Sequence, residues 1–122
     1  MIQLRTILKP AGNLGAKKIR VMRVIGNVRQ DAAKVGDVVI ASVIKAMPNA
    51  AAKKGEKVRA VIVRTNKEIR RPDGSYIRFD DNAAVIIDDD GRPKATRLFG
   101  PVAREVKQKG FGAVAAMARE VL

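Results

Sequence analysis

The chain has no cysteine and no histidine. Without thiols there is no disulfide frame and no thiolate site, and without imidazole the Ser–His, Cys–His and zinc arrangements are excluded. Tryptophan is absent too, and the only aromatics are Tyr76, Phe79, Phe99 and Phe111. The core must therefore be built from Val, Ile, Leu and Ala, with Phe79, Phe99 and Phe111 expected inside it and Tyr76 near a loop tip. No run is long or apolar enough to cross a membrane, and Met1-Ile2-Gln3-Leu4-Arg5 lacks a signal-peptide core. The protein is expected to stay where it is made: the cytoplasm, or an organelle matrix or stroma if it is organelle-encoded.

Carboxylates are the only catalytic groups left. Asp80 and Asp81 are neighbours on an extended segment, so they point to opposite faces, and Asp88, Asp89 and Asp90 lie where a turn is expected. The reading is a solvated turn, with no metal and no cofactor. Ser42, Ser75, Thr6, Thr65 and Thr96 have no evident base partner.

Positive charge is abundant. Lys and Arg number 25 against 12 Asp and Glu, a net +13 in 122 residues. Residues 1–79 carry 18 bases and 5 acids, residues 80–91 carry 5 acids and no base, and residues 92–122 carry 7 bases and 2 acids. Such a balance points to nucleic acid or another polyanion. Arg70 to Asn82 concentrates the signal. A tight turn, Pro72-Asp73-Gly74-Ser75, joins two short extended arms, Glu68 to Arg71 and Tyr76 to Phe79, which lift Arg70, Arg71 and Arg78 out of the body.

The kind of nucleic acid can be narrowed. Single-strand binders stack bases on exposed aromatics, which are scarce here, and no helix suits the DNA major groove. Gly12-Asn13-Leu14-Gly15 followed by Lys17-Lys18 has a GxxG form, yet it falls between strands rather than helices and reads as a loop. What remains is a folded, double-helical RNA surface recognised by charge and shape.

The alternation of apolar residues predicts many short strands: Ile2 to Leu8, ended by Lys9-Pro10; Lys18 to Ile25, with a bulge or strand end at Met22-Arg23; Val38 to Lys45; Lys57 to Arg64, covered on much of both faces; and Ala83 to Ile87, buried. Gly26 to Gly36 reads as a loop with weak helical character, and Lys53-Lys54-Gly55-Glu56 as a turn. Near the end, Pro101 suits the first position of a helix in which Val102 and Val106 share a face, Glu105 pairs with Lys109 and Gly110 terminates. Ala113 to Glu120 reads as a second helix. The class is mainly β: a small β-barrel with a helical appendix, in one domain over 1–122, with barrel and ribbon (near 67–80) in 1–100 and the appendix in 101–122.

Three functional readings fit the residues: a structural protein fixed on folded RNA, a metal-dependent RNA-processing enzyme using the Asp cluster, and a free-standing RNA chaperone. The motifs favour the first. Lys57 to Ile87, Val35-Gly36-Asp37-Val38 and Thr96-Arg97-Leu98-Phe99-Gly100-Pro101-Val102-Ala103-Arg104-Glu105 together resemble the universal large-subunit ribosomal protein L-fourteen family of the bacterial and organellar type, end to end. The resemblance implies a five-stranded β-barrel, a projecting β-ribbon and small C-terminal helices, with no catalytic activity. It implies binding to large-subunit ribosomal RNA, a neighbour in ribosomal protein L-nineteen, a bridge to small-subunit ribosomal RNA, and docking of a ribosome silencing factor on a surface that includes Thr96 and Arg97. The expected RNA contacts are Lys17, Lys18, Lys45, Lys53, Lys54, Lys67, Arg70, Arg71 and Arg78. The chain departs from the family pattern at Pro10 to Ala16, where an Asp and a Ser are missing, at Gly26 to Ala32, at Ala113, which replaces a Lys, and at Ala116 to Glu120. The lost Pro in this last segment leads to an expectation of a longer final helix.

Overall fold

A computed structural model describes residues 2–25 and 32–122. Its strands are β1 (Ile2–Gln3), β2 (Ile7–Pro10), β3 (Ala16–Val24), β4 (Ala32–Ala33), β5 (Val38–Ala46), β6 (Lys57–Arg64), β7 (Ile69–Arg70), β8 (Tyr76–Ile77) and β9 (Ala83–Ile87), followed by the helices α1 (Arg104–Gln108) and α2 (Gly112–Met117). Five strands close a barrel in the order β2-β3-β5-β6-β9. All neighbours are antiparallel except β2 and β9, which run parallel. The ribbon is the two-stranded β7-β8 hairpin, and β1 pairs with β4 beside the barrel.

The expected first strand is two strands. Ile2 and Leu8 are fully buried while Leu4 and Ile7 are about half exposed, a pattern no single straight strand can give. The chain turns instead: Arg5 takes a positive φ of 68°, Thr6 N–H donates to the Gln3 carbonyl, and Thr6 Oγ1 accepts from Gln3 N–H. Lys9-Pro10 does end β2, as expected. Lys9 and Ala11 donate their amides to β9, at Asn82 and Ala84, and the β2–β3 pairing is confined to Ile7 and Leu8, so the missing N–H of Pro10 costs no ladder bond.

The register of β3 against β5 shifts between Val21 and Arg23, at the place where the alternation slips, and the strand continues past it to Val24. The predicted bounds of β6 and β9 are matched, and β6 is buried from Ala60 to Arg64, on both faces. One face lines the barrel. The other is covered by the C-terminal segment, where Ala103 N–H donates to the Val63 carbonyl and Val102, Val106 and Val114 join the same core. The largest fully buried side chains are Ile, Leu and Val, as the composition requires. Phe79 and Phe111 pack partly buried against them, but Phe99 is 53% exposed and lies outside the core.

Helix α1 begins at Arg104, three residues after Pro101, because residues 101–103 are held extended. Val102 pairs in parallel with Val121, receives from Leu122 N–H and donates to the Glu120 carbonyl. The same pairing accompanies the end of α2 at Met117, three residues short of the expected Glu120. Gly110 follows the C-cap Lys109, as a terminator should. The expected Glu105–Lys109 pair is absent: Glu105 turns to Arg71 and Lys109 to Asp37. Of the expected loop from Gly26 to Gly36, residues 26–31 lie outside the described residues, Ala32–Ala33 form β4 and Gly36 sits in a turn.

Candidate nucleic-acid interface

Strand β3 carries Lys17 and Lys18 at two successive exposed positions, and Lys18 is the register partner of Lys45 on β5. The turn that holds Lys53 and Lys54 folds back on the same strand, since Gly55 N–H donates to the Val43 carbonyl and Val43 N–H to that of Glu56. Five of the nine expected RNA-contact residues thus gather on adjoining parts of the barrel wall. All five are exposed, and among the described residues none forms an ion pair. Lys9, which the motif reading passed over, lines a groove of about 490 Å³ together with Lys17 and Lys18.

The other four belong to the ribbon and its base. Arg70 and Arg78 are exposed and have no ion-pair partner among the described residues, whereas Lys67 lies 3.0 Å from its neighbour Glu68. Glu68 is held below its ordinary pKa by a hydrogen bond from its own backbone amide, helped by Lys67. Arg71 differs from the rest. Its guanidinium is only 17% exposed, sits 2.9 Å from a Glu105 oxygen and also donates to the Leu122 carbonyl. That geometry ties the ribbon to α1 and the chain end, and withdraws Arg71 from solvent. At the ribbon tip Gly74 takes φ +88°, which a turn of this shape requires, and Arg71 and Ser75 close the hairpin with an N–H to O contact of 2.8 Å. Asp73 accepts from both the Ser75 amide and hydroxyl, and these two bonds lower its pKa.

Thr96 and Arg97 are exposed and are fixed from an unexpected side. Asn13 Oδ1 accepts from their backbone amides at 3.0 and 3.1 Å, and Asn13 Nδ2 donates to Thr96 Oγ1. The loop that lacks the family's Asp and Ser still supplies an acceptor. Beyond Arg97 the segment is pinned by Arg64, whose side chain is 7% exposed. Its Nη1 donates to the Phe99 carbonyl at 3.0 Å and reaches the Pro101 carbonyl at 3.4 Å. Its Nε lies 3.1 Å from Asp81 Oδ1 but off the hydrogen-bond axis, so that contact is coulombic, and Nη2 makes the weak bond to Oδ2 at 3.4 Å. Gly100 has φ +79°, and a Cβ there would overlap Arg64 Nη1. Arg64 was not among the expected functional residues. The signal that could have found it is a charged residue closing a strand that is apolar on both faces.

The acidic segment does structural work. Asp81 faces Arg64, and Asp88 Oδ1 accepts from the amides of Asp90 and Arg92. Among the described residues no three acidic groups converge as a metal site would need.

Together these features define a class: a small, strongly basic β-barrel whose rigid aliphatic frame displays free cations and whose carboxylates brace the backbone. Residues 1–122 match the family described as ribosomal protein L14p/L23e, and the chain belongs to that family. It is 54% identical over 121 residues to the large ribosomal subunit protein uL14 of Petrotoga mobilis (strain DSM 10674 / SJ95), a similarity that covers 99% of both chains. This is a family of ribosomal structural proteins, not of enzymes.

Proposed function

We propose that the protein binds large-subunit ribosomal RNA by charge and shape and contributes to the surface at which the two ribosomal subunits meet. The observation that supports this most is the group of exposed lysines, Lys17, Lys18, Lys45, Lys53 and Lys54, without an ion-pair partner among the described residues, on adjoining elements of a barrel that belongs to a ribosomal family. Lysines held at a spacing set by strands can follow a duplex backbone without reading its bases. Lys67, Arg70 and Arg78 extend the same function along the ribbon, while Arg71 positions the ribbon rather than meeting phosphate.

Thr96 and Arg97, presented by Asn13 beside exposed Phe99, form the protein-facing surface of this proposal. Ribosomal protein L-nineteen and a ribosome silencing factor are the partners the family resemblance suggests, with small-subunit ribosomal RNA at a bridge nearby. The proposed place of work is the bacterial cytoplasm. Sedimentation of a cell extract through sucrose tests the reading: the chain should travel with the large subunit, as a free RNA chaperone would not. Recovery at the top of the gradient overturns it.

A further inference from the structure

A cleft of about 350 Å³ opens between the base of the ribbon and α1. Val35, Thr65 and Ile69 form its floor, the first two buried to 3% exposure. Lys34, Lys67 and Arg70 stand around it. The walls are braced by two ion pairs, Arg71 with Glu105 and Lys109 with Asp37 at 3.2 Å, and by a hydrogen bond in which Thr65 Oγ1 donates to the Lys67 carbonyl at 2.9 Å. Both carboxylates lining the cleft are already matched, Glu68 by Lys67 and Glu105 by Arg71. Lys34 and Arg70 have no ion-pair partner among the described residues.

The volume falls in the range of small-molecule sites, and the combination of an apolar floor with uncommitted cations above it is the chemistry of a base joined to a phosphate. On a surface this poor in aromatics, an unpaired base has two ways to be held: an aliphatic slot, or the flat face of an arginine. The cleft supplies both, Ile69 below and Arg70 at the edge.

We propose that this cleft takes a single unpaired nucleotide splayed out of the ribosomal RNA, with its base against Val35 and Ile69 and its phosphate between Lys34 and Arg70. The inference rests on the RNA-binding reading above and adds a pocket for one nucleotide to a mode that otherwise senses only backbone and shape. The unequal treatment of Arg70 and Arg71 then has a purpose: Arg71 sets the wall and Arg70 is left for the ligand.

The test is a titration of the full chain, labelled with nitrogen-15, by the four nucleoside 5′-monophosphates and separately by inorganic phosphate. The expected result is saturable movement of the Val35, Thr65 and Ile69 amides with at least one mononucleotide and not with phosphate. The Lys34→Ala/Arg70→Ala variant, its other resonances unchanged, should bind that mononucleotide at least tenfold more weakly. Still amides, or equal movement with phosphate, overturn the pocket, and the cleft is then left to a neighbouring protein or to phosphate alone. Binding of large-subunit RNA by the same sample separates the two failures. If RNA binds while mononucleotides do not, only the pocket falls; if RNA does not bind, the reading beneath it falls as well.

Discussion

Lys17, Lys18, Lys45, Lys53 and Lys54 stand on adjoining strands and a turn of the barrel with no carboxylate partner among the described residues, whereas around the ribbon and the chain end Lys67, Arg71, Lys109 and Arg64 are each matched by an acid. Each of these side chains counts as one cation in the composition. They differ in what the charge is available for. An exposed lysine keeps its hydration and its counterions, and a phosphate backbone can take the place of the counterions. An arginine that already donates to a carboxylate and to main-chain carbonyls has spent its donors on holding two pieces of backbone together. Net charge points to a polyanion partner; only the pairing pattern divides the cations into those free for one and those that brace the backbone.

The strongest way to break the comparison is to remove the most committed cation. Arg64→Ala leaves the Phe99 and Pro101 carbonyls and the partly exposed Asp81 without their partner, and should cost about 2 kcal/mol of stability. Urea denaturation measures it. A loss below about 1 kcal/mol would show Arg64 to be an ordinary surface charge. Gly100→Ala should also destabilise, since the added Cβ overlaps Arg64 Nη1 and sits at a positive φ.

Next is the division between neighbours. Arg71→Ala should cost about 1–2 kcal/mol by removing a charged hydrogen bond of intermediate exposure, yet leave the salt dependence of RNA binding unchanged. Arg70→Ala should do the reverse, with little change in stability and a slope reduced by about one counterion. A double-mutant cycle of Arg71→Ala with Glu105→Gln should show coupling; strict additivity would mean that the bridge does not hold the ribbon.

The unpaired lysines provide the third test. The triple variant Lys17→Ala/Lys18→Ala/Lys45→Ala should fold with near-normal stability and lower the slope of log affinity against log salt by about two to three. A marked loss of stability with an unaltered slope would exchange the roles of the two regions.

How far the sequence disclosed this division depends on where each residue sits. Lys57–Arg64 and Ala83–Ile87 are legible to the residue because both are covered on two faces and their apolar runs end in charge or turn residues. Ile2 to Leu8 is not, because the turn at Leu4-Arg5 has neither Gly nor Pro to mark it. The helix starting at Pro101 was misplaced since its first residues are claimed by Arg64 and by the chain end, partners 37 and about 20 positions away. The same distance hid the site's fixtures. Asn13 lies 83 residues from Thr96, and Arg71 lies 34 from Glu105, so no local pattern shows either contact. The exposure of the lysines is legible in the sequence because it is the ordinary state of a lysine. Which arginines are occupied is a property of the fold.

The smallest expected effect lies at the ribbon tip, where a carboxylate acts without any cation in a bridge. Asp73 is fully exposed, and its pKa is lowered first by the Ser75 hydroxyl, then by the Ser75 amide. A pKa below the unfolded value means that the stabilisation is complete above the ordinary carboxylate range and disappears as pH falls through the folded value. The tip should therefore hold its turn at neutral pH and loosen only in acid. Carbon-13 titration of the Asp73 carboxyl should show the depressed midpoint, and Ser75→Ala should bring it back toward the usual range. An unchanged midpoint in that variant would assign the depression to the Ser75 amide, which the substitution leaves in place, and would remove the hydroxyl from the account.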